Sequence, residues 1–126
     1  MTRYLLDSHI LVWWKEQPDL LGTAAQNAIA SGTNQLFFSH ASLWELHIKI
    51  ARGRLKLPEP LVDVAASMRC HLLPISTEHI EEIKYLPHYH RDPFDRMLVT
   101  QAMTDDLTLI TRDNAMRQYD VMTLAA

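Results

Sequence analysis

Cysteine is nearly absent: Cys70 stands alone in 126 residues, so no internal disulfide staples the chain and a reducing compartment suits it. The lone thiol reads as a small buried hydrophobe rather than a nucleophile, because nothing near it in sequence marks an activating base. Long apolar runs are missing as well. Arg3 and Asp7 interrupt the opening residues, which leaves no uncharged stretch for a secretory leader. No segment approaches the roughly 18 apolar residues of a membrane span. A cytoplasmic protein that does not engage a membrane is therefore expected. There is no excess of basic charge either, since the formal net charge is -3, and a basic domain is the usual footprint of nucleic-acid binding. Acids gathered around a bound cation would reconcile that charge with a nucleic-acid partner. Lys49, Arg52, Arg54 and Lys56 supply a local basic cluster whose plainer reading is a solvated helix face.

What the chain does have is an ordinary globular composition, 48% hydrophobic with three glycines, and a length that suits a single domain over residues 1–126. Tyr4-Leu5-Leu6 is a short apolar run without alternation, as in a strand buried on both faces. Asp7-Ser8 follows with two good N-cap residues, of which Ser8 is expected to be the cap of a helix carrying Ile10, Leu11, Trp13 and Trp14. Adjacent tryptophans point about 100° apart on a helix, so Trp13 and Trp14 are not both expected to be fully buried.

Beyond the break at Pro18, a second helix is predicted from an Asp19 cap to about Ser31. A strand is predicted at Leu36–Phe38 and a third helix from Ser39 to Gly53. A short helix around Leu61–Met68 leads to a strand at His71–Ile75 and a helix opened by Ser76. Asp92 is a natural N-cap with Pro93 at the first helical position. Leu107–Ile110 reads as a strand, Thr111–Asn114 as the cap of a last short helix, and Val121–Leu124 as an edge strand. Strands separated by helices throughout imply an α/β fold, a three-layer α/β/α arrangement around a mostly parallel sheet of four to five strands. Right-handed crossovers then place the strand C-terminal ends along one edge.

Four acids fall near that edge. Asp7 follows the first strand and Glu45 lies early in the helix after the second. Asp95 sits in the first turn of the helix before the fourth strand, and Asp113 follows that strand. Carboxylates gathered this closely repel one another unless a cation sits among them. Oxygen donors without a cysteine–histidine zinc pattern favour Mg²⁺ or Mn²⁺, the cations of phosphodiester hydrolysis. Each acid also has a plainer role: Glu45 pairing with Lys49, Asp95 closing a capping box, Asp7 and Asp113 acting as caps. The histidines, His9, His47, His88 and His90 among them, read as scattered surface or core residues.

Three blocks in order resemble the PIN domain of VapC-like toxin ribonucleases: Leu5-Leu6-Asp7-Ser8-His9 with Trp13-Trp14, Ser42–Lys49 through Gly53-Arg54-Leu55, and His90–Arg96 through Gln101-Ala102 to Leu109–Asp113. The resemblance implies a Mg²⁺- or Mn²⁺-dependent endoribonuclease acting on RNA, an antitoxin protein partner and a homodimer. It places the catalytic and metal-binding acids at Asp7, Glu45, Asp95 and Asp113, with Asp92 as an alternative or outer ligand. Ser8 and Thr111 would be hydroxyl neighbours for metal or phosphate, and Lys49, Arg91 and Arg96 phosphate contacts. Ser8 replaces the threonine common in the group, and His47 stands where a small residue is common. The competing readings are a metal-dependent DNA nuclease and a non-catalytic protein-binding module of the same fold.

Overall fold

The computed structural model describes residues 1–126. Five strands form one sheet: β1 (Arg3–Leu6), β2 (Gln35–Ser39), β3 (Cys70–Leu73), β4 (Thr108–Thr111) and β5 (Thr123–Ala125). Their order across the sheet is β3-β2-β1-β4-β5, and every neighbouring pair runs parallel. The chain moves outward from β1 through β2 to β3, then crosses back to lay β4 and β5 on the other side of β1. That reversal opens a crevice beyond the C-terminal ends of β1 and β4, where open α/β sheets hold their ligands.

The central strands are buried on both faces because their alternate residues feed two separate cores. Leu6, Ile110, Leu36 and Phe38 face one core, which is closed by α1 (Ser8–Glu16), α2 (Thr23–Ala30) and α4 (Leu61–Ser67) through Ile10, Leu11, Ala25, Ile29, Val64 and Ala65. Leu5 and Leu109 face the other, closed mainly by α6 (Pro93–Thr104) through Leu98, Val99 and Ala102, with Leu86, Met116 and Tyr119. α3 (His40–Ala51) contributes to both, Leu46 to the first and Ala41 to the second. With α5 (Thr77–Glu82) beside α6, the layers are helix, sheet, helix, as the alternating pattern implied.

Local starts and stops follow from side-chain hydrogen bonds. Ser39 caps α3 by accepting from the Ala41 N–H at 3.0 Å, and Asp92 caps α6 by accepting from Phe94 at 2.8 Å, with Pro93 first in the helix. Ser76 and His79 form a reciprocal capping box on α5.

Three sequence expectations are corrected. The second helix does not run from Asp19: a 3-10 turn at Pro18–Leu20 ends in extended Leu21, and α2 begins only after Gly22. The break lets Leu21 reach the core, where it is 3% exposed, while Gln26 Nε2 satisfies the carbonyls of Pro18 and Leu21. The cap of α1 is Asp7, not Ser8, because Asp7 Oδ1 accepts from the Ser8 N–H at 2.6 Å and Ser8 is already helical. Trp13 and Trp14 are both partly buried against the first core, as adjacent positions on a helix require. Cys70 is partly buried rather than fully so, and desolvation pushes its thiol up to about 12, well away from the thiolate.

Candidate active site

A crevice of about 360 Å³ lies at the strand ends, lined by Asp7, Asp92, Asp95, Asp113 and Glu45, with His9, Trp13, Lys49 and Arg112. The four acids singled out from the sequence therefore converge, and Asp92 joins them. A larger hollow of about 640 Å³ beside α3 holds a single carboxylate, Glu59, which is paired with Lys15 at 2.6 Å. The crevice thus gathers five acids where the larger hollow has one.

Each carboxylate is held by a specific donor. Asp7 Oδ2 accepts from the Thr111 hydroxyl at 2.7 Å, and that hydroxyl accepts in turn from the Asp113 N–H at 3.0 Å. Ser8 Oγ lies 2.8 Å from Glu45 Oε1 and 2.9 Å from Ser42 Oγ, so the first turn of α1 fixes a carboxylate of α3. Asp113 Oδ1 caps the turn that follows by accepting from the Ala115 and Met116 N–H groups. Asp95 does not complete a capping box. The Asp92 N–H that its side chain would have taken donates instead to His90 Nδ1 at 3.0 Å.

His90 is the residue that sequence reasoning discounted. Its Nε2 lies 3.0 Å from both Asp95 Oδ2 and Asp113 Oδ2, so one imidazole joins the start of α6 to the end of β4. Because Nδ1 accepts from backbone, the proton belongs on Nε2, where it faces the two carboxylates. The only signal in sequence was position: His90 stands two residues before the Asp92 cap, close enough to fold back over the helix start.

The electrostatics match this crowding. Burial, followed by the charges of Asp7, Asp92 and Glu45, raises the Asp95 pKa to about 7 against the opposing pull of His90. Burial also raises Asp7, although its hydrogen bonds from Thr111 and Ser8 work against the shift. Desolvation disfavours charge on Asp113, but the hydrogen bond from His90 and the Met116 and Ala115 N–H groups outweigh it and lower the pKa. Burial likewise disfavours a charged His90, and its hydrogen bond to Asp113 with the charges of Asp95, Asp113 and Asp92 outweighs that and raises it.

The remaining expected contacts divide. Lys49 lines the crevice, 3.7 Å from Glu45 Oε2 and 3.1 Å from His9 Nε2. Arg91 is exposed and outside the lining. Arg96 is not available as a phosphate contact: its guanidinium donates to the carbonyls of Leu86, Pro87 and His90 and to Tyr119 Oη, tying down the loop that carries His90. Ser8 and Thr111 are 1% and 0% exposed, so their hydroxyls orient carboxylates and do not meet solvent or substrate. His9, Trp13 and Arg112 line the crevice without having been singled out as site residues.

The PIN domain family profile matches residues 4–122. The chain belongs to the PIN domain family. Among curated relatives of this PIN domain is ribonuclease VapC22 of Mycobacterium tuberculosis (strain ATCC 25618 / H37Rv), 29% identical over 122 residues that cover 94% of this chain and 93% of the relative. Among solved structures, VapBC2 from Rickettsia felis bound to a DNA fragment from its promoter aligns with a TM-score of 0.73 at 15% identity, covering 99% of each chain. DNA-bound VapBC from Salmonella typhimurium aligns with a TM-score of 0.68 at 15% identity, over 99% of this chain and 98% of that one. At these identities the structural likeness establishes the fold.

The donor set fits a hard divalent cation. All the acids offer oxygen, no cysteine is near, and two carboxylates held above their ordinary pKa carry a repulsion that a cation relieves.

Proposed function

We propose that this PIN domain is a Mg²⁺- or Mn²⁺-dependent endoribonuclease that hydrolyses RNA phosphodiester bonds, and that it is the toxin of a toxin–antitoxin pair. The observation that carries the reading is the convergence of Asp7, Glu45, Asp95 and Asp113 in one crevice at the sheet's switch point, with Asp95 raised to about 7 by burial and its neighbours. Similarity to a protein named ribonuclease VapC22 supports RNA as the substrate. In this reading the chain acts in the cytoplasm as a homodimer and is restrained by a cognate antitoxin protein. No helix is long and apolar enough to cross a membrane.

Asp7, Asp95 and Glu45 would hold the cation, with Asp113 acting from farther out because Oδ1 caps a turn and Oδ2 faces His90. A divalent cation bound there supplies positive charge that offsets the charge growing on a phosphodiester under in-line attack, and it makes water easier to deprotonate. The chain's own residues do the rest. Thr111 and the Ser8 N–H hold both oxygens of Asp7, and Ser8 Oγ holds Glu45. His90 keeps Asp95 and Asp113 together through one N–H. Lys49 and Arg112 at the crevice meet the phosphates flanking the scissile bond.

The test is cleavage of single-stranded RNA by the pure protein with Mg²⁺ or Mn²⁺, with EDTA, and by Asp7→Asn and Asp95→Asn. Cleavage is expected only with metal and wild-type carboxylates. Full activity in either variant removes that carboxylate from the mechanism. Equal or better cutting of single-stranded DNA at matched salt makes the protein a DNA nuclease instead. Intact nucleic acid throughout, alongside tight binding of a partner protein, makes it a binding module.

A further inference from the structure

One wall of the crevice is neither acidic nor aliphatic. Trp13 lies on α1 six residues beyond Asp7, about 9 Å along the helix axis, within reach of a nucleotide next to the scissile phosphate. The guanidinium of Arg112 sits 4.2 Å from the centroid of the Trp13 ring, and the imidazole of His9, one helical turn back, is 5.7 Å away and tilted by 31°. Arg112 follows β4 directly and is exposed, yet it is not loose, because it also donates to the Leu20 carbonyl. Its plane is therefore fixed by the indole on one side and by backbone beyond. Lys49 closes the group through His9 Nε2 at 3.1 Å.

The geometry points to Trp13, with Arg112 over it and His9 beside it, as a subsite for one unpaired base of a single-stranded RNA. This rests on the reading of the substrate as RNA. Arg112 already covers one face of the indole, so a nucleobase extends that stack from the exposed outer face of the guanidinium, beside the exposed His9 imidazole, and Lys49 offers charge to a neighbouring phosphate. A base within a duplex is already paired and stacked, so it cannot enter such a wall without first being extruded. The subsite therefore selects single strands. A docking protein helix would need an apolar face here, and three of the four side chains on this wall are cationic or imidazole groups, two of them exposed.

Trp14 and Trp44 are the other tryptophans, so Trp14→Phe with Trp44→Phe leaves Trp13 as the sole indole reporter. In an Asp7→Asn background that does not cut, a short single-stranded RNA is expected to quench Trp13 fluorescence. The matching duplex and an abasic ribose-phosphate strand are expected to leave it unchanged. In the cleaving protein, Trp13→Ala and, separately, Arg112→Leu should raise KM for single-stranded RNA by about tenfold, with kcat changed far less. Trp13→Phe should restore most of the loss. Because Trp13→Ala also removes packing, the quenching of Trp13 decides the matter if that variant folds poorly. The proposal is overturned if wild type cuts RNA while neither variant moves KM, if Trp13 stays silent on RNA that demonstrably binds, or if duplex quenches equally. Quenching by an added partner protein but not by RNA would make the wall a protein-docking site and would also overturn it. If wild type neither binds nor cuts RNA, the substrate reading falls first and the subsite with it.

Discussion

Asp95 gives the most direct measure of the charge crowded into the crevice. Its carboxyl is moved from an ordinary value of 3.8 to about 7 by burial and by Asp7, Asp92 and Glu45. An acid whose folded pKa lies above its unfolded one binds its proton more tightly when folded. The stability linked to that proton is present below about pH 4 and is lost as the pH rises through about 7. Fully dry, a displacement of this size would cost about 4 kcal/mol at pH 8. The crevice is open to water, so about 2 kcal/mol is the sounder figure. Asp7, also raised, adds in the same direction, and so does His90, whose contribution falls away as the pH rises through its raised pKa. Asp113 is lowered, so its contribution is lost only in acid, outside the window of interest.

Part of that loss is already in place at pH 5, so metal-free protein should melt about 4 to 6 °C lower at pH 8 than at pH 5, at roughly 3 to 5 °C per kcal/mol for a chain of this length. Asp95→Asn keeps an oxygen for His90 and removes the charge. It should raise the pH 8 melting temperature by a similar amount and flatten the pH dependence. Millimolar Mn²⁺ should recover the loss in wild type and do much less for Asp95→Asn. Scanning calorimetry in EDTA and then in Mn²⁺ reads all of these. A melting temperature that does not change between pH 5 and 8, or an Asp95→Asn protein less stable than wild type at pH 8, would refute the crowding argument.

Other perturbations separate residues that hold the site from those that meet the substrate. Arg96→Ala should cost about 2 kcal/mol of stability, since it frees the carbonyls of Leu86, Pro87 and His90, whereas Lys49→Ala should leave stability nearly unchanged and reduce the salt dependence of RNA binding by about one counterion. Chemical denaturation and binding isotherms at several salt concentrations test the pair, and a reversed pattern would exchange their roles. Ser8→Ala should weaken metal affinity about tenfold by releasing Glu45, measurable by calorimetric titration; unchanged affinity would show that Glu45 needs no orienting hydroxyl. Cys70, with its thiol pushed up to about 12, should resist Ellman's reagent at pH 8 until the protein is denatured, and rapid reaction in the native state would contradict its burial.

The parts of the fold that were legible in the sequence share one cause. Leu5 and Leu6 read as a two-sided strand because each face of a central parallel strand must be apolar, and Asp92-Pro93 read as a helix start because both residues act on the nearest turn. The expectations that missed depended on contacts distant in sequence. Asp19 had the chemistry of a cap, but burying Leu21 required the chain to stay extended there. Arg96 had the charge of a phosphate ligand, but three carbonyls in the preceding loop claimed it.

The sequence by itself determined the alternation of strands and helices and the identity of the acids, since periodicity, caps and carboxylates are properties of short stretches. Only the tertiary structure decided which neighbours each acid keeps. The 3-2-1-4-5 strand order brings Thr111 to Asp7 across 104 positions, Ser8 to Glu45 across 37 and His90 to Asp113 across 23. Hydrogen bonds of that kind form only once strands and helices have packed. For that reason the hydroxyls expected to meet the substrate proved to be buried supports, and a histidine set aside in the sequence stands between two of the acids.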